Sequence, residues 1–100
     1  MINRELKYNE GICPVMSQNE NLDFRRWQLY VHKTIYELMQ QGFMRDNFLM
    51  KLRQFVNFVN AKTNGFYRCT FMETADYIRV ELYHFKHIAS KAVFEIRYDE

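Results

Sequence analysis

The apolar positions of this chain change their period once, and the change divides it in two. From Phe24 to Val59 they recur every three or four residues, the spacing of a helix face. From Phe66 onward they alternate, the spacing of strands with one buried side. The helical part opens at "SQNE", where Ser17 precedes Glu20 by three residues and predicts a capping box. Asn21 and Asp23 are rival caps. A first helix then runs to about Gln41, and Gly42 suits the left-handed residue after a helix end. Phe24, Trp27, Val31, Ile35 and Leu38 form its core stripe. Leu29, Tyr36 and Met39 form a second apolar line, suited to packing on a neighbouring helix or to presentation to a partner helix. A second helix starts near Asp46 and buries Phe48, Leu52, Phe55, Val56 and Val59. It ends at "TNG", where Asn64 or Gly65 takes the left-handed turn. The connection "GFMRD" is short, so the two helices are expected as antiparallel neighbours.

The alternating part reads as "FYRCTFME" and "DYIRVELYHF" in a hairpin around Thr74-Ala75, followed by "KAVFEIRY" as a third strand. With Glu73 opposite Asp76, Phe71 meets Ile78, Cys69 meets Val80 and Tyr67 meets Leu82, all on one face. Thr-Ala is not a favoured two-residue turn, so a longer loop of the same parity is the alternative. Pairing Leu82 with Ile96 places Val80 on Tyr98. The expected fold is α+β: a single domain over 1–100, with an irregular arm or edge strand at 1–16, a helical pair at 17–64 and a three-stranded antiparallel meander at 66–98. The helices cover one face of the meander, in the order α-α-β-β-β. Within the arm, "LKY" and "ICPVM" are candidate edge strands, since proline is tolerated at a sheet edge.

The uncovered face carries the functional question. In these registers Glu81 falls between Arg68 and Arg97, and Arg79 between Thr70 and Asp99, a nearly neutral mixture ordinary for a solvated face. At the other end Phe66, Tyr83, Phe85 and Val93 gather, with Glu95 beside them. Either the N-terminal arm folds over this patch, or it stays open to bind a protein or a second copy of the chain. The rival reading is a nucleic-acid interface in which Tyr77 and Tyr83 stack bases beside Arg68 and Arg79. The aromatic and glycine pattern of an RNA-recognition strand is absent, and the neighbouring acids cancel much of the positive field.

Composition narrows the classes. One hundred residues with 48% hydrophobic and 26% charged content make one globular domain, and 17% aromatic content leaves rings to spare for an interface. A net charge of +2 does not demand nucleic acid or an anionic membrane. Cys13 and Cys69 form no C-x-x-C motif, nothing resembles a leader, and no apolar run is long enough to span a bilayer; a reduced, cytoplasmic location is expected. Residue types with AT-rich codons are abundant, as in small bacteriophage or mobile-element proteins.

No cofactor or metal signature is visible. His84 and His87 lie three apart in "HFKH", a spacing that points to opposite faces of a strand. With Cys13 and Cys69 they match no zinc module. Cys69 takes an inward strand position, where a thiol is inert; Cys13 is expected exposed in the arm. His32 has no catalytic partner placed by the sequence. The glycines are isolated and the acids scattered, so neither a phosphate loop nor a carboxylate pair is present. The reading is a small non-catalytic binding protein that docks on another macromolecule as an accessory or inhibitor, with no small-molecule substrate evident. A small enzyme would require a concave site with convergent titratable groups.

Overall fold

The structure is a computed structural model describing residues 3–99; Met1 and Ile2 of the expected arm, and Glu100, lie outside the described residues. The elements follow in the order β1 (Asn3–Asn9), α1 (Gln18–Gln40), α2 (Arg45–Lys62), β2 (Tyr67–Glu73), β3 (Tyr77–His84) and β4 (Ala92–Asp99). The strands form one antiparallel sheet in the order β1-β4-β3-β2. The expected meander is present, and the arm supplies a fourth strand along β4.

Local chemistry sets the helix ends. The Glu20 N–H donates to Ser17 Oγ at 3.2 Å, and the Ser17 N–H donates to Glu20 Oε1 at 3.3 Å, completing the capping box. Gly42 follows α1 with φ +70°, a conformation that costs glycine no Cβ clash. Asn64 (φ 52°) and Gly65 (φ 84°) turn the chain out of α2 and into β2. The helix α2 starts at Arg45 behind Met44, which offers no capping side chain, while Asp46 sits in its first turn, where a negative charge meets the helix dipole favourably.

Both helices lie on one face of the sheet. Phe24, Val31 and Ile35 of α1 and Phe48, Leu52 and Val59 of α2 close over Ile78, Val80, Leu82, Phe94 and Ile96, all fully or almost fully buried. Each such side chain contributes about 1.5–3 kcal/mol by leaving water.

The strand registers differ from expectation by even steps. Phe71 meets Val80, Cys69 meets Leu82 and Tyr67 meets His84. The turn is centred one residue later than expected: the Thr74 N–H donates to the Tyr77 carbonyl at 2.9 Å and closes it around Ala75 and Asp76. Between β3 and β4 the pairs are Ile78 with Ile96, Val80 with Phe94 and Leu82 with Ala92. An even shift keeps every side chain on its face and changes only its neighbours, so the buried set survives.

Three other expectations are corrected. "ICPVM" is not a strand but a turn held by Asn21, whose Nδ2 donates to the carbonyls of Cys13 at 3.1 Å and Met16 at 3.2 Å. That turn buries Cys13, which was expected at the surface. Leu29 and Tyr36 do not pack on α2; they are 51% and 52% exposed, and α1 meets α2 instead through Tyr30 on Phe55, ring centroids 5.6 Å apart. No helix among the described residues is long and apolar enough to cross a membrane.

Candidate functional site

The helix ends and the sheet end enclose a groove of about 520 Å³. Glu20, Asp23 and Trp27 reach it from the first turns of α1, where three- and four-residue steps align them on one side. Lys62 and Thr63 close α2 beside it. Thr63 Oγ1 lies 2.9 Å from the Val59 carbonyl and 3.0 Å from the Tyr67 carbonyl, so its one proton ties the helix end to the start of β2. Tyr67 and His84 come from paired strand positions. Phe66 and Phe85 lie just beyond those strand ends, where the Phe85 N–H donates to the Phe66 carbonyl at 3.1 Å.

A train of ring contacts runs through the wall. Phe24 stacks on Tyr67 at 5.6 Å, Tyr67 meets the edge of His84 at 5.5 Å, His84 leans on Phe85 at 4.9 Å, and Phe85 meets Phe66 at 6.4 Å. The Tyr67 hydroxyl donates to Asp23 Oδ2 at 2.7 Å. Burial, with the Asp23 carboxylate as a second cause, pushes the Tyr67 phenol well above its usual range. Burial also lowers the His84 pKa, helped by His87 and opposed by Glu20. His84 Nδ1 accepts the Lys86 N–H at 3.2 Å, which leaves the proton of the neutral ring on Nε2.

A second, more apolar hollow of about 370 Å³ adjoins the groove and shares Asp23, Trp27 and Lys62 with it; Arg26, Tyr30 and Phe58 complete its wall. Tyr30, Phe58, Phe66 and Phe85 are 42%, 45%, 60% and 44% exposed. Among its described residues the arm covers neither Phe66 nor Phe85, because β1 lies along β4, on the side of the sheet away from β2. Among the described residues Arg26, Lys62 and Lys86 form no ion pair. Both carboxylates are engaged inside the protein: Glu20 by Ser17, whose hydrogen bonds lower its pKa, and Asp23 by Tyr67.

Of the four patch residues expected together, Phe66 and Phe85 meet ring to ring at 6.4 Å. Tyr83 stands opposite Arg68, and Val93 opposite Glu81, on the outer face of the sheet. The shifted registers give Tyr83 and Val93 these partners in place of the expected ones. The same face holds the nucleic-acid candidates Arg68, Tyr77, Arg79 and Tyr83. Arg79 bonds Glu95 at 3.3 Å, Arg97 bonds Glu95 at 2.7 Å, and the Arg79 guanidinium covers the Tyr77 ring at 5.6 Å. Arg97 foremost, with Arg79, holds the Glu95 carboxyl below its usual range. Glu95 offsets much of the positive charge that these two arginines present to a phosphate.

The sequence did not reveal that Asp23, Tyr67 and His84 converge. Asp23 and Tyr67 are 44 positions apart, and no local pattern links them. His84 and His87 come together at 5.4 Å instead of pointing apart. His84 is the last residue of β3, and the chain then turns back so that the His87 N–H donates to the His84 carbonyl at 2.9 Å. Cys69 is buried, and burial pushes its thiol up to about 12. His32 rests on the Tyr8 ring at 5.1 Å. No three His, Cys, Asp or Glu side chains among the described residues gather as a metal-binding group. Compared with protein-family models, curated proteins and solved structures, the chain matches none.

Proposed function

We propose that this chain is a non-catalytic binding protein that docks an acidic, apolar-anchored segment of another protein across the two joined hollows. The observation that carries the reading is the combination of four half-exposed aromatic rings with rim cations that have no ionic partner, beside carboxylates that are internally engaged. Exposed aromatic clusters of this kind recur at interface centres. An apolar side chain would displace water from Trp27, Tyr30 and Phe58. Carboxylates flanking it would meet Arg26, Lys62 and Lys86, which steer encounter and fix orientation. Such a protein acts by occupying its partner's surface, as an adaptor or inhibitor does.

Trp27 is the only tryptophan and lines both hollows, so its emission reports occupancy. The test titrates the protein with acidic peptides bearing one Leu or Phe anchor, with basic and anchor-free peptides as controls. The expected result is saturable quenching by the acidic anchored peptides, weakened about tenfold or more in Phe58→Ser/Phe85→Ser protein. Silence toward all acidic anchored peptides, or binding indifferent to that double substitution, overturns the reading. Oligonucleotide binding lost in Arg68→Ala/Arg79→Ala protein, and falling steeply with salt, would favour the outer sheet face instead.

A further inference from the structure

The sheet has two edges, and among the described residues the chain itself covers part of the one at β2. At β2, Asn60 of α2 imitates a neighbouring strand: its Oδ1 accepts the Cys69 N–H and its Nδ2 donates to the Cys69 carbonyl, both at 2.8 Å. Both Cys69 groups therefore point away from β3. Alternation along antiparallel ladders then fixes the direction of every backbone group in the sheet. Ile78, Val80 and Leu82 bond toward β4, and Glu95 and Arg97 bond toward β1. In β1, Glu5 and Lys7 bond back to β4, so Arg4, Leu6 and Tyr8 turn their N–H and C=O groups to the open side. Among the described residues nothing pairs with these groups.

We propose that β1 is an interface whose occupant is a second copy of this chain, joined antiparallel across a two-fold axis at Leu6. That register sets Leu6 opposite Leu6, Arg4 opposite Tyr8, and Glu5 opposite Lys7 on both sides of the axis. Each of these residue pairs satisfies the outward groups of Arg4, Leu6 and Tyr8. The charges continue a row already present, in which Arg79 faces Glu95 and Glu95 faces Lys7. Beyond the axis, Lys7 meets Glu5 of the second copy, which itself faces Arg97. Signs alternate along the whole row. Centring the axis on Glu5 or Lys7 instead would set like charges opposite each other, which destabilises a ladder.

The helix above supports the same occupant. His32 lies on the Tyr8 ring, so that side of α1 overlooks β1. Leu29 and Tyr36 stand three residues before and four after His32, on one stripe, and they are the half-exposed apolar pair that α2 leaves uncovered. A second copy brings the same stripe across the axis above Leu6. This surface is separate from the aromatic groove, and either reading stands if the other fails.

The test is the mass of the full chain by sedimentation over the micromolar range, for wild type, Glu5→Lys and Lys7→Glu. Wild type is expected as a dimer. Each variant alone sets like charges opposite each other twice and raises the dissociation constant roughly tenfold. Mixing the two variants restores opposite signs at both positions, so a heterodimer forms from two weakly associating proteins. A monomeric wild type, or a dimer indifferent to both changes and to mixing, overturns the proposal. Circular dichroism checks the variants' fold. If β1 does not tolerate these changes, Leu29→Ser/Tyr36→Ser protein, which alters no strand, must show the weakened dimer; an unchanged dimer there overturns the proposal too.

Discussion

Gln28 holds the backbone of Gly11 with both ends of its amide: Oε1 accepts the Gly11 N–H at 2.9 Å, and Nε2 donates to the Gly11 carbonyl at 3.0 Å. Oε1 also accepts the Tyr8 hydroxyl at 2.9 Å. One buried side chain thus satisfies the chain as it leaves β1 and ties that strand to α1. Gln28→Leu is expected to destabilise the protein by about 2–4 kcal/mol, because it leaves buried polar groups without partners. The denaturant midpoint should fall while the far-UV spectrum of the folded state is retained.

Gly11 is required by proximity, not by its dihedral angles. A Cβ there would stand 2.7 Å from the Ala92 nitrogen and 2.7 Å from the Lys91 carbonyl carbon, and neither backbone atom can swing aside. Gly11→Ala should cost about 1–3 kcal/mol, the range for overpacking. Gly42→Ala, with open space around it, would report only the strain of its positive φ. Thermal melts of the two variants separate the causes.

The Asn60 clamp on Cys69 makes a third prediction. Asn60→Ala leaves the Cys69 N–H and carbonyl unpaired on an edge strand. A loss of about 1–3 kcal/mol is expected, together with concentration-dependent aggregation, since a free edge templates pairing. Light scattering during storage, compared between wild type and variant, provides the measurement.

His84 sets a pH dependence. Its folded pKa is depressed below the ordinary 6.5, chiefly by burial, so the unfolded chain binds the proton more readily. Stability is full above that ordinary value and is lost as pH falls from it toward the lowered folded value. The carboxylates Glu20 and Glu95 have the opposite assignment of charge but also lowered values; their contribution is lost only below about 4.5. Unfolding midpoints measured through both windows should show two steps, and His84→Gln should remove the upper one alone.

Cys13 and Cys69 are buried, and Cys69 is further protected by a thiol pushed up to about 12. Neither should react with an exposed-thiol reagent under native conditions, and both should react on unfolding. Rapid native labelling of Cys13 would show that the arm's turn opens independently of the core.

What the sequence alone determined is what depends on neighbours along the chain. The capping box at Ser17, the left-handed ends at Gly42 and Asn64, and the buried faces of α2 and of β2 to β4 are set by local hydrogen bonding and by periodicity. A period of two also tolerates even register slips, so the inward face of the sheet was legible although its pairs were not. Tertiary structure decided the rest. Whether Tyr83 pairs with Phe66 or with Arg68 depends on where a turn is centred, which alternation does not encode. The arm's pairing with β4, the Gln28 and Asn60 clamps, and the meeting of Asp23 with Tyr67 depend on distances between segments far apart in the chain. A glutamine on a helix face or an asparagine near a helix end has the same local signature whether it faces water or a buried backbone amide. Only packing fixes which partner it meets.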